Sequence, residues 1–235
     1  MDFNGKPAQF INREISWLSF NHRVLQEAAD RNNPLIQRIR FLGIFSNNRD
    51  EFFRVRVATV RRFAAFRDKK KFLGDVTPHE LLQHIQSTVI SQQEKFEKMY
   101  LELIRELEQF NIHVINETQL TKEQGRFVED FYHERIRPIL VPIMLQYTRE
   151  FPYLRDEPFY FAVKLSKGSK RNKTRYALLD LATEILPRFV VLPNIGKHKY
   201  IIILDDIVRY CLNDIFSFFI YYRVEAYTIK IIMDA

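Results

Sequence analysis

The stretch at residues 41–56 reads FLGIFSNNRDEFFRVR, and a polar cluster at residues 46–51 joins its two apolar, helix-patterned halves. Ser, Asn and Asp side chains compete with the helical backbone for hydrogen bonds, so such a cluster is typical of a helix end. Neither Gly nor Pro interrupts it. We therefore predict a tight corner between two helices, with the amides of Asn47 and Asn48 fixed at the corner.

An asparagine at such a corner has two interpretations. Its carboxamide presents a donor and an acceptor side by side, which is the pair needed to read the edge of an adenine base. Asparagine is also a common helix cap. From the residues alone, both a structural cap and a contact to an adenine nucleotide stay open.

The bulk composition limits the classes of protein and partner. A chain of 235 residues can form one large or two ordinary domains, and a hydrophobic share of 46% predicts a substantial core. A net charge of +7 favours an anionic partner such as nucleic acid, a phosphorylated ligand or an acidic membrane surface, unless the basic surface binds nothing. The single cysteine, Cys211, excludes an intrachain disulfide and is expected in the core. No signal segment or membrane-length apolar run is visible, so we expect a cytoplasmic protein.

The first part of the chain has helical periodicity. Apolar residues follow Ser16 at three- and four-residue steps, which predicts a helix capped by Ser16. Thr77-Pro78 predicts the start of a long helix over residues 78–110, about 50 Å in length at 1.5 Å per residue. We therefore predict an antiparallel helical bundle over residues 1–110.

The character of the sequence changes at Asn111. A short alternating segment at residues 112–115 predicts a strand, and Thr121 with Gln124 fits a capping box. Further strands are predicted at residues 159–165, 175–181, 189–192, 200–204 and 225–232, with a helix at 207–219 capped by Asp205. The predicted fold class is α+β with two domains: the helical bundle, then a mixed α+β head domain over residues 111–235. Because the last strand ends at the chain terminus, we expect that second domain to be incomplete.

Motifs for catalysis and metal binding are not found in the sequence. It has no glycine-rich phosphate loop, no Ser-His-Asp order and no catalytic-cysteine pattern. His79 and His84, five residues apart, form a poor metal pair, and the other four histidines are expected to be isolated: His22, His113, His133 and His198. Lone carboxylates such as Glu14 and Asp50 are expected to be structural. We predict no catalytic residue and no metal ligand in this chain.

Two groups of basic residues could contact a polyanion. Six basic residues lie between Lys164 and Arg175 around a predicted turn, which fits either a solvated hairpin tip or a salt-sensitive phosphate contact. The arginines between Arg49 and Arg61 are the better candidate, because a helix would hold them rigidly beside Asn48.

Two long motifs resemble a known family. Residues 15–28, ISWLSFNHRVLQEA, and residues 41–52, FLGIFSNNRDEF, resemble two signatures of bacterial polyphosphate kinases of the first family, in the same order. Shorter segments at residues 175–179, 188–190 and 204–207 resemble its middle domain.

The resemblance implies an enzyme that reversibly transfers the terminal phosphate of ATP to inorganic polyphosphate, through a phosphorylated histidine and with Mg²⁺. It implies a homodimer or higher homo-oligomer, a head domain that contributes dimer contacts, and an adenine contact through Asn48. The domains that carry the phosphohistidine in that family have no counterpart here, so we expect this chain alone to be inactive. The alternative is a stand-alone, non-catalytic module that binds polyphosphate or nucleic acid, although the resemblance predicts no nucleic-acid partner.

Overall fold

A computed structural model describes residues 11–65, 76–145, 152–155, 159–166, 174–218, 221 and 223–233. The chain divides into two compact units, Met1–Leu107 with Ile232–Ala235, and Glu108–Ile231. Helices dominate the first unit and two sheets with short helices form the second, so the predicted α+β class is confirmed.

The described part of the first unit contains four α-helices. They are α1 (Arg13–Ala29), α2 (Leu35–Glu51), α3 (Ala58–Ala65) and α4 (Pro78–Glu108). The cap of α1 is Asn12, whose side chain accepts from the backbone N–H of Glu14, so the predicted cap at Ser16 is wrong. Thr77 and Glu80 form reciprocal hydrogen bonds at the start of α4, as the Thr77-Pro78 pair predicted.

The predicted corner at residues 46–51 is wrong. Glu51 and Phe52 both have right-handed helical backbone angles, and α2 continues through a π-helical segment, Phe52–Val57, into α3. The polar residues do not end the helix, because Asn48 and Arg49 form hydrogen bonds with side chains of other helices, Asn21 and Gln93, instead of with the helix backbone. The apolar residues on either side, Phe45 and Phe52, are both fully buried and anchor one continuous helix.

The second unit contains two sheets. Strand β1 (Ile112–Ile115) pairs in parallel with β6 (His198–Ile203), which pairs antiparallel with β5 (Phe189–Ile195), in the order β1-β6-β5. An antiparallel sheet has the order β2-β4-β3-β7, and its strands are β2 (Pro142–Met144), β3 (Phe159–Ser166), β4 (Arg175–Asp180) and β7 (Arg223–Lys230). All predicted strands are present, whereas the short edge strand β2 was not predicted.

Three helices accompany these sheets. Helix α5 (Lys122–Phe131) begins at the predicted capping box of Thr121 and Gln124 and continues into a π-helical turn, Tyr132–Ile136. The predicted helix at 207–219 is instead two short helices, α6 (Leu204–Tyr210) and α7 (Leu212–Ile215). Asp205 lies inside the first turn of α6 and does not cap it. Its buried carboxylate is 3.0 Å from the Arg188 guanidinium and accepts from the Thr228 hydroxyl at 3.2 Å.

Candidate functional site

Asn48 lies in a layer of polar side chains that crosses the helical unit. Its Nδ2 donates to Oδ1 of Asn21 at 3.0 Å, and Nδ2 of Asn21 donates to the carbonyl of Phe45 at 3.1 Å. Asn21 is only 1% exposed, so both of these bonds are formed away from water. We call Asn21, Asn48 and Gln92 the polar layer.

Helix α4 supplies the third member of the polar layer. Gln92, 7% exposed, donates its Nε2 to the carbonyl of Leu18 on α1 at 3.1 Å. The neighbouring Gln93 accepts a hydrogen bond from the guanidinium of Arg49 on α2. These bonds fix α1, α2 and α4 against one another at the level of Asn48, because each joins residues from different helices.

The spacing of apolar residues explains why the layer lies there. On each of the three helices, one residue of the layer falls between two buried apolar clusters. Asn21 lies between Leu18 and Leu25, and Asn48 lies between Phe45 and Phe52. A buried polar group costs free energy unless it is hydrogen-bonded, so these side chains must pair with one another or with backbone carbonyls.

The amide of Asn48 retains unused hydrogen-bonding capacity. A carboxamide has two N–H donors and an oxygen acceptor, and the hydrogen bond to Asn21 uses one donor. Among the described residues, no donor reaches Oδ1 of Asn48, and its side chain is half-buried. The adjacent Asn47 is exposed. Asn48 is therefore held rigidly while one donor and one acceptor stay available to a ligand.

The π-helical segment beside Asn48 contains two arginines, Arg54 and Arg56. Arg56 donates to Glu14 at 2.9 Å, and its guanidinium lies 5.9 Å from the ring centroid of Trp17. Trp17 in turn stacks on Phe52 at 4.6 Å. A π-helical turn within an α-helix frequently marks a functional site.

Glu14 is structural, as expected from the sequence. Its side chain is nearly buried and accepts hydrogen bonds from Arg13 and Arg56. Burial alone would raise the pKa of Glu14, but the two guanidinium groups more than offset burial and hold that pKa below its ordinary value. The carboxylate therefore stays ionised and is committed to its arginine partners.

The histidines differ in their surroundings, and one expectation about them is wrong. His113 on β1 and His198 on β6 are not isolated: Nε2 of His113 and Nδ1 of His198 are 2.9 Å apart, and Tyr200 stacks on His113. The pair escaped prediction because a parallel pairing of distant strands creates it. Nδ1 of His22 is buried without a hydrogen-bond partner, and burial followed by Lys95 lowers the pKa of that imidazole.

The part of the chain that the structure describes also bears on other kinds of functional feature, beginning with metal ligands. Within the described residues, no group of three His, Cys, Asp or Glu side chains converges to hold a metal ion. Cys211 is buried, and burial raises its thiol pKa to about 12. No helix among the described residues is both long and apolar enough to cross a bilayer. Most of the basic segment between Lys164 and Arg175 lies outside the described residues.

Asn21 and Gln92 were missed as members of the site. The signal available in the sequence was a polar residue within an otherwise apolar helical face, between Leu18 and Leu25 for Asn21. Helical periodicity locates such a residue on the buried face but does not identify its partner. The bonds to Phe45 and Leu18 carbonyls depend on which helices become neighbours.

The chain matches two domains of a known protein family. Residues 10–115 match the polyphosphate kinase N-terminal domain, and residues 123–235 match the polyphosphate kinase middle domain. A polyphosphate kinase of Vibrio vulnificus (strain YJ016) is 44% identical over 232 residues, covering 96% of this chain and 32% of the relative. A polyphosphate kinase of Escherichia coli (strain K12) is 40% identical over 235 residues, covering 98% of this chain and 33% of the relative.

A solved structure agrees with these matches. The crystal structure of polyphosphate kinase from Porphyromonas gingivalis superposes with a TM-score of 0.86 at 34% identity, covering 98% of this chain and 34% of that one. This chain spans about a third of the length of the curated relatives it matches. Because two consecutive domain matches, long alignments and the fold all agree, the chain belongs to the polyphosphate kinase family, whose N-terminal and middle domains it carries.

Proposed function

We propose that this chain is the adenine-contacting and head portion of a polyphosphate kinase, an enzyme that reversibly transfers the terminal phosphate of ATP to inorganic polyphosphate. Residues 1–110 and 111–235 would be its N-terminal and head domains. The observation that carries the proposal is Asn48, which is fixed by Asn21 and retains a free donor and acceptor inside a family signature.

The fixed orientation of the Asn48 amide supports its proposed recognition of adenine. A donor–acceptor pair reads adenine only if both atoms are held in one plane and one direction. The bond to Asn21, itself anchored to the Phe45 carbonyl, supplies that orientation before any nucleotide arrives. A preorganised contact costs less entropy on binding than a freely rotating side chain.

The chemical step would depend on residues outside this chain. We place the phosphorylated histidine in the remaining length of the enzyme, because the histidines described here have other surroundings. His113 and His198 pair with each other, and His22 has its Nδ1 buried. Magnesium, as a partner of ATP, would likewise take its protein ligands elsewhere. We also propose a cytoplasmic homodimer or higher homo-oligomer.

The test is ATP-dependent polyphosphate synthesis by the 235-residue chain, alone and mixed with the C-terminal two thirds of the Escherichia coli relative. We expect synthesis only in the mixture. Synthesis by the chain alone would overturn the proposal, because one of its six histidines would then have to act as nucleophile. Inactivity in both, with the chain folded, would favour a stand-alone module that binds polyanions through its net charge of +7.

Asn48→Ala tests the adenine contact in the active mixture. Losing one hydrogen-bonding side chain should cost about 1 kcal/mol, which raises the KM for ATP several-fold. The affinity for polyphosphate should change less. Asn47→Ala is the matched control, since Asn47 is exposed and adjacent. Equal weakening of both substrates by Asn48→Ala would contradict an adenine role.

A further inference from the structure

A polar cleft of about 420 Å³ opens between α1 and α4 in the helical unit, and Asn48 does not line it. Residues that define it are His22 on α1 and His84, Thr88, Ser91, Gln92 and Lys95 on α4. Among the described residues that line it, none is a carboxylate. A cleft with several hydrogen-bonding groups and only positive charge is suited to an anion.

The floor of this cleft is rigid. The buried Gln92 joins α4 to the Leu18 carbonyl of α1, which fixes the separation of the two walls. Ser19 and Ser87, also in the lining, donate to carbonyls of their own helices at 3.0 Å. Such local bonds are weak, so these hydroxyls can rotate toward a ligand.

The remaining donors of the cleft are unused. The hydroxyls of Thr88 and Ser91 and the ammonium of Lys95 have no hydrogen-bond partner among the described residues. Nδ1 of His22 has no hydrogen-bond partner either, but it is buried, so His22 would contribute through the charge of its protonated ring and not through this nitrogen. Burial first, and then the charge of Lys95, lower the pKa of His22. An anion beside both side chains would neutralise Lys95 and favour the protonated imidazole.

A second cleft continues along the same two helices. It has a volume of about 330 Å³, shares His22 and Lys95 with the first, and adds Lys98, with Glu102 in its lining. From His84 to Lys98 the wall follows fourteen residues of α4, about 21 Å at 1.5 Å per residue. The combined α1–α4 groove is therefore elongated, and its two lysines, Lys95 and Lys98, lie toward the Glu102 end of its α4 wall.

We propose that the α1–α4 groove is a binding site for phosphoryl oxyanions, held by Lys95, Lys98 and His22 with the hydroxyls of Thr88 and Ser91. A phosphoryl group presents several acceptor oxygens in different directions, which matches donors dispersed over two walls. Lysine binds phosphate as a point charge, without the planar fork that arginine uses for carboxylates. The site is separate from Asn48, so it does not depend on the proposed enzymatic function.

Calorimetric titration of the folded 235-residue chain tests the site, with tripolyphosphate, orthophosphate and ATP as separate ligands at one matched ionic strength and again at a higher salt concentration. We expect tripolyphosphate to bind, more weakly as salt is raised. Lys95→Gln should weaken binding about tenfold, because it removes a charge-assisted contact. Lys95→Arg, which keeps the charge, should retain most of the affinity. Lys122→Gln is the control, since Lys122 is exposed at the start of α5 in the other unit.

The arms of the titration distinguish the sources of the phosphoryl group. Tighter binding of tripolyphosphate than of orthophosphate identifies a linear phosphate chain, whereas equal affinities identify free orthophosphate. Asn48→Ala should weaken the binding of ATP and leave the binding of tripolyphosphate unchanged, so failure of the adenine contact would be visible separately. Unchanged tripolyphosphate affinity in folded Lys95→Gln and His22→Asn variants would overturn the proposal, as would no binding by the parent chain.

Histidine NMR provides a readout that a merely structural role would not change. Tripolyphosphate should raise the pKa of His22, because an adjacent anion favours its protonated form. The charged and titratable groups that line the groove with His22 are Lys95, Lys98, Glu102 and His84. The resonances of His133, in the other unit, should not shift when tripolyphosphate is added. An unaltered His22 titration at saturating tripolyphosphate would contradict the site.

Discussion

The two units of this protein stabilise their interiors differently. Among the described residues, the second unit has one large apolar core of 20 buried residues, which includes Phe161 and Leu179, and a small cluster around Tyr160. The helical unit has two smaller clusters, one around Leu18 and Phe52 and one around Leu25 and Phe45, with the polar layer between them. Continuous apolar packing gives stability, whereas a hydrogen-bonded layer fixes the orientation of a few side chains. The candidate adenine contact, Asn48, lies in the helical unit, whose interior contains the hydrogen-bonded polar layer.

The largest effect should come from opening the continuous core. Phe161 is fully buried on β3, and Phe161→Ala should lower the free energy of unfolding by about 3–5 kcal/mol. Phe45→Ala in the smaller cluster should cost less, because a small cluster beside a polar layer can close around the gap more easily. Urea denaturation measures both. Phe189→Ala, at a side chain 64% exposed, is the control and should change stability by less than about 0.5 kcal/mol. A larger loss at Phe45 than at Phe161 would reverse the comparison.

The next effect concerns the polar layer itself. Asn21→Leu leaves the Asn48 amide without its partner and removes the bond to the Phe45 carbonyl. Unsatisfied groups of this kind cost about 1–3 kcal/mol, measured by urea denaturation. The variant should also raise the KM for ATP in the reconstituted mixture, since Asn48 loses its orientation. Ser19→Leu, on the same helix but exposed, should affect neither quantity strongly. If Asn21→Leu changed neither the stability nor the KM for ATP, the polar layer would not be what orients Asn48.

Removing one helix cap in each unit should have a smaller effect on stability. Thr121→Ala should cost about 1 kcal/mol or somewhat more, because Gln124 is 1% exposed and both its backbone N–H and its side-chain oxygen would lose their bonds to the Thr121 hydroxyl. Thr77→Ala should cost less, since its partner Glu80 is exposed and α4 has 31 residues over which to tolerate a frayed first turn. Thermal unfolding of the two variants measures the difference. Equal losses would show that burial of the capping partner is unimportant.

A pH dependence of opposite sign should also distinguish the two units. In the second unit, burial, followed by the charge of Glu117, raises the pKa of Asp206 from 3.8 to about 7. The folded state then holds the proton more tightly than the unfolded state does. The stability that this provides is fully present below the unfolded pKa and is lost as pH rises through about 7. Asp206→Asn should therefore flatten the decline of the urea midpoint between about pH 4 and pH 8. Asp130→Asn, at an exposed carboxyl, should not.

Glu14 in the helical unit should behave in the opposite way. Its folded pKa is lowered, so its contribution to stability is present above the unfolded pKa and is lost as pH falls through the folded value. Glu14→Gln should reduce the acid sensitivity of the urea midpoint. A steeper acid loss in Glu14→Gln than in the parent chain would contradict the assigned sign.

The sequence itself determined the fold class and most of the elements. Apolar periods of three to four residues predicted the long helix after Thr77, and alternating β-branched runs predicted the strands, because both periods follow from backbone geometry alone. The family signatures likewise singled out Asn48 without any knowledge of its neighbours. These features are local, and a single stretch of chain contains all the information they require.

Only the tertiary structure decided what the polar residues do. The cluster at residues 46–51 has the composition of a helix end, yet the helix continues because Asn21 and Gln93 supply partners for Asn48 and Arg49. The pairing of His113 with His198 arises in the same way, from strands 85 residues apart. A polar side chain is satisfied by whichever group lies within about 3 Å of it. The sequence cannot specify that group until the helices and strands have packed together.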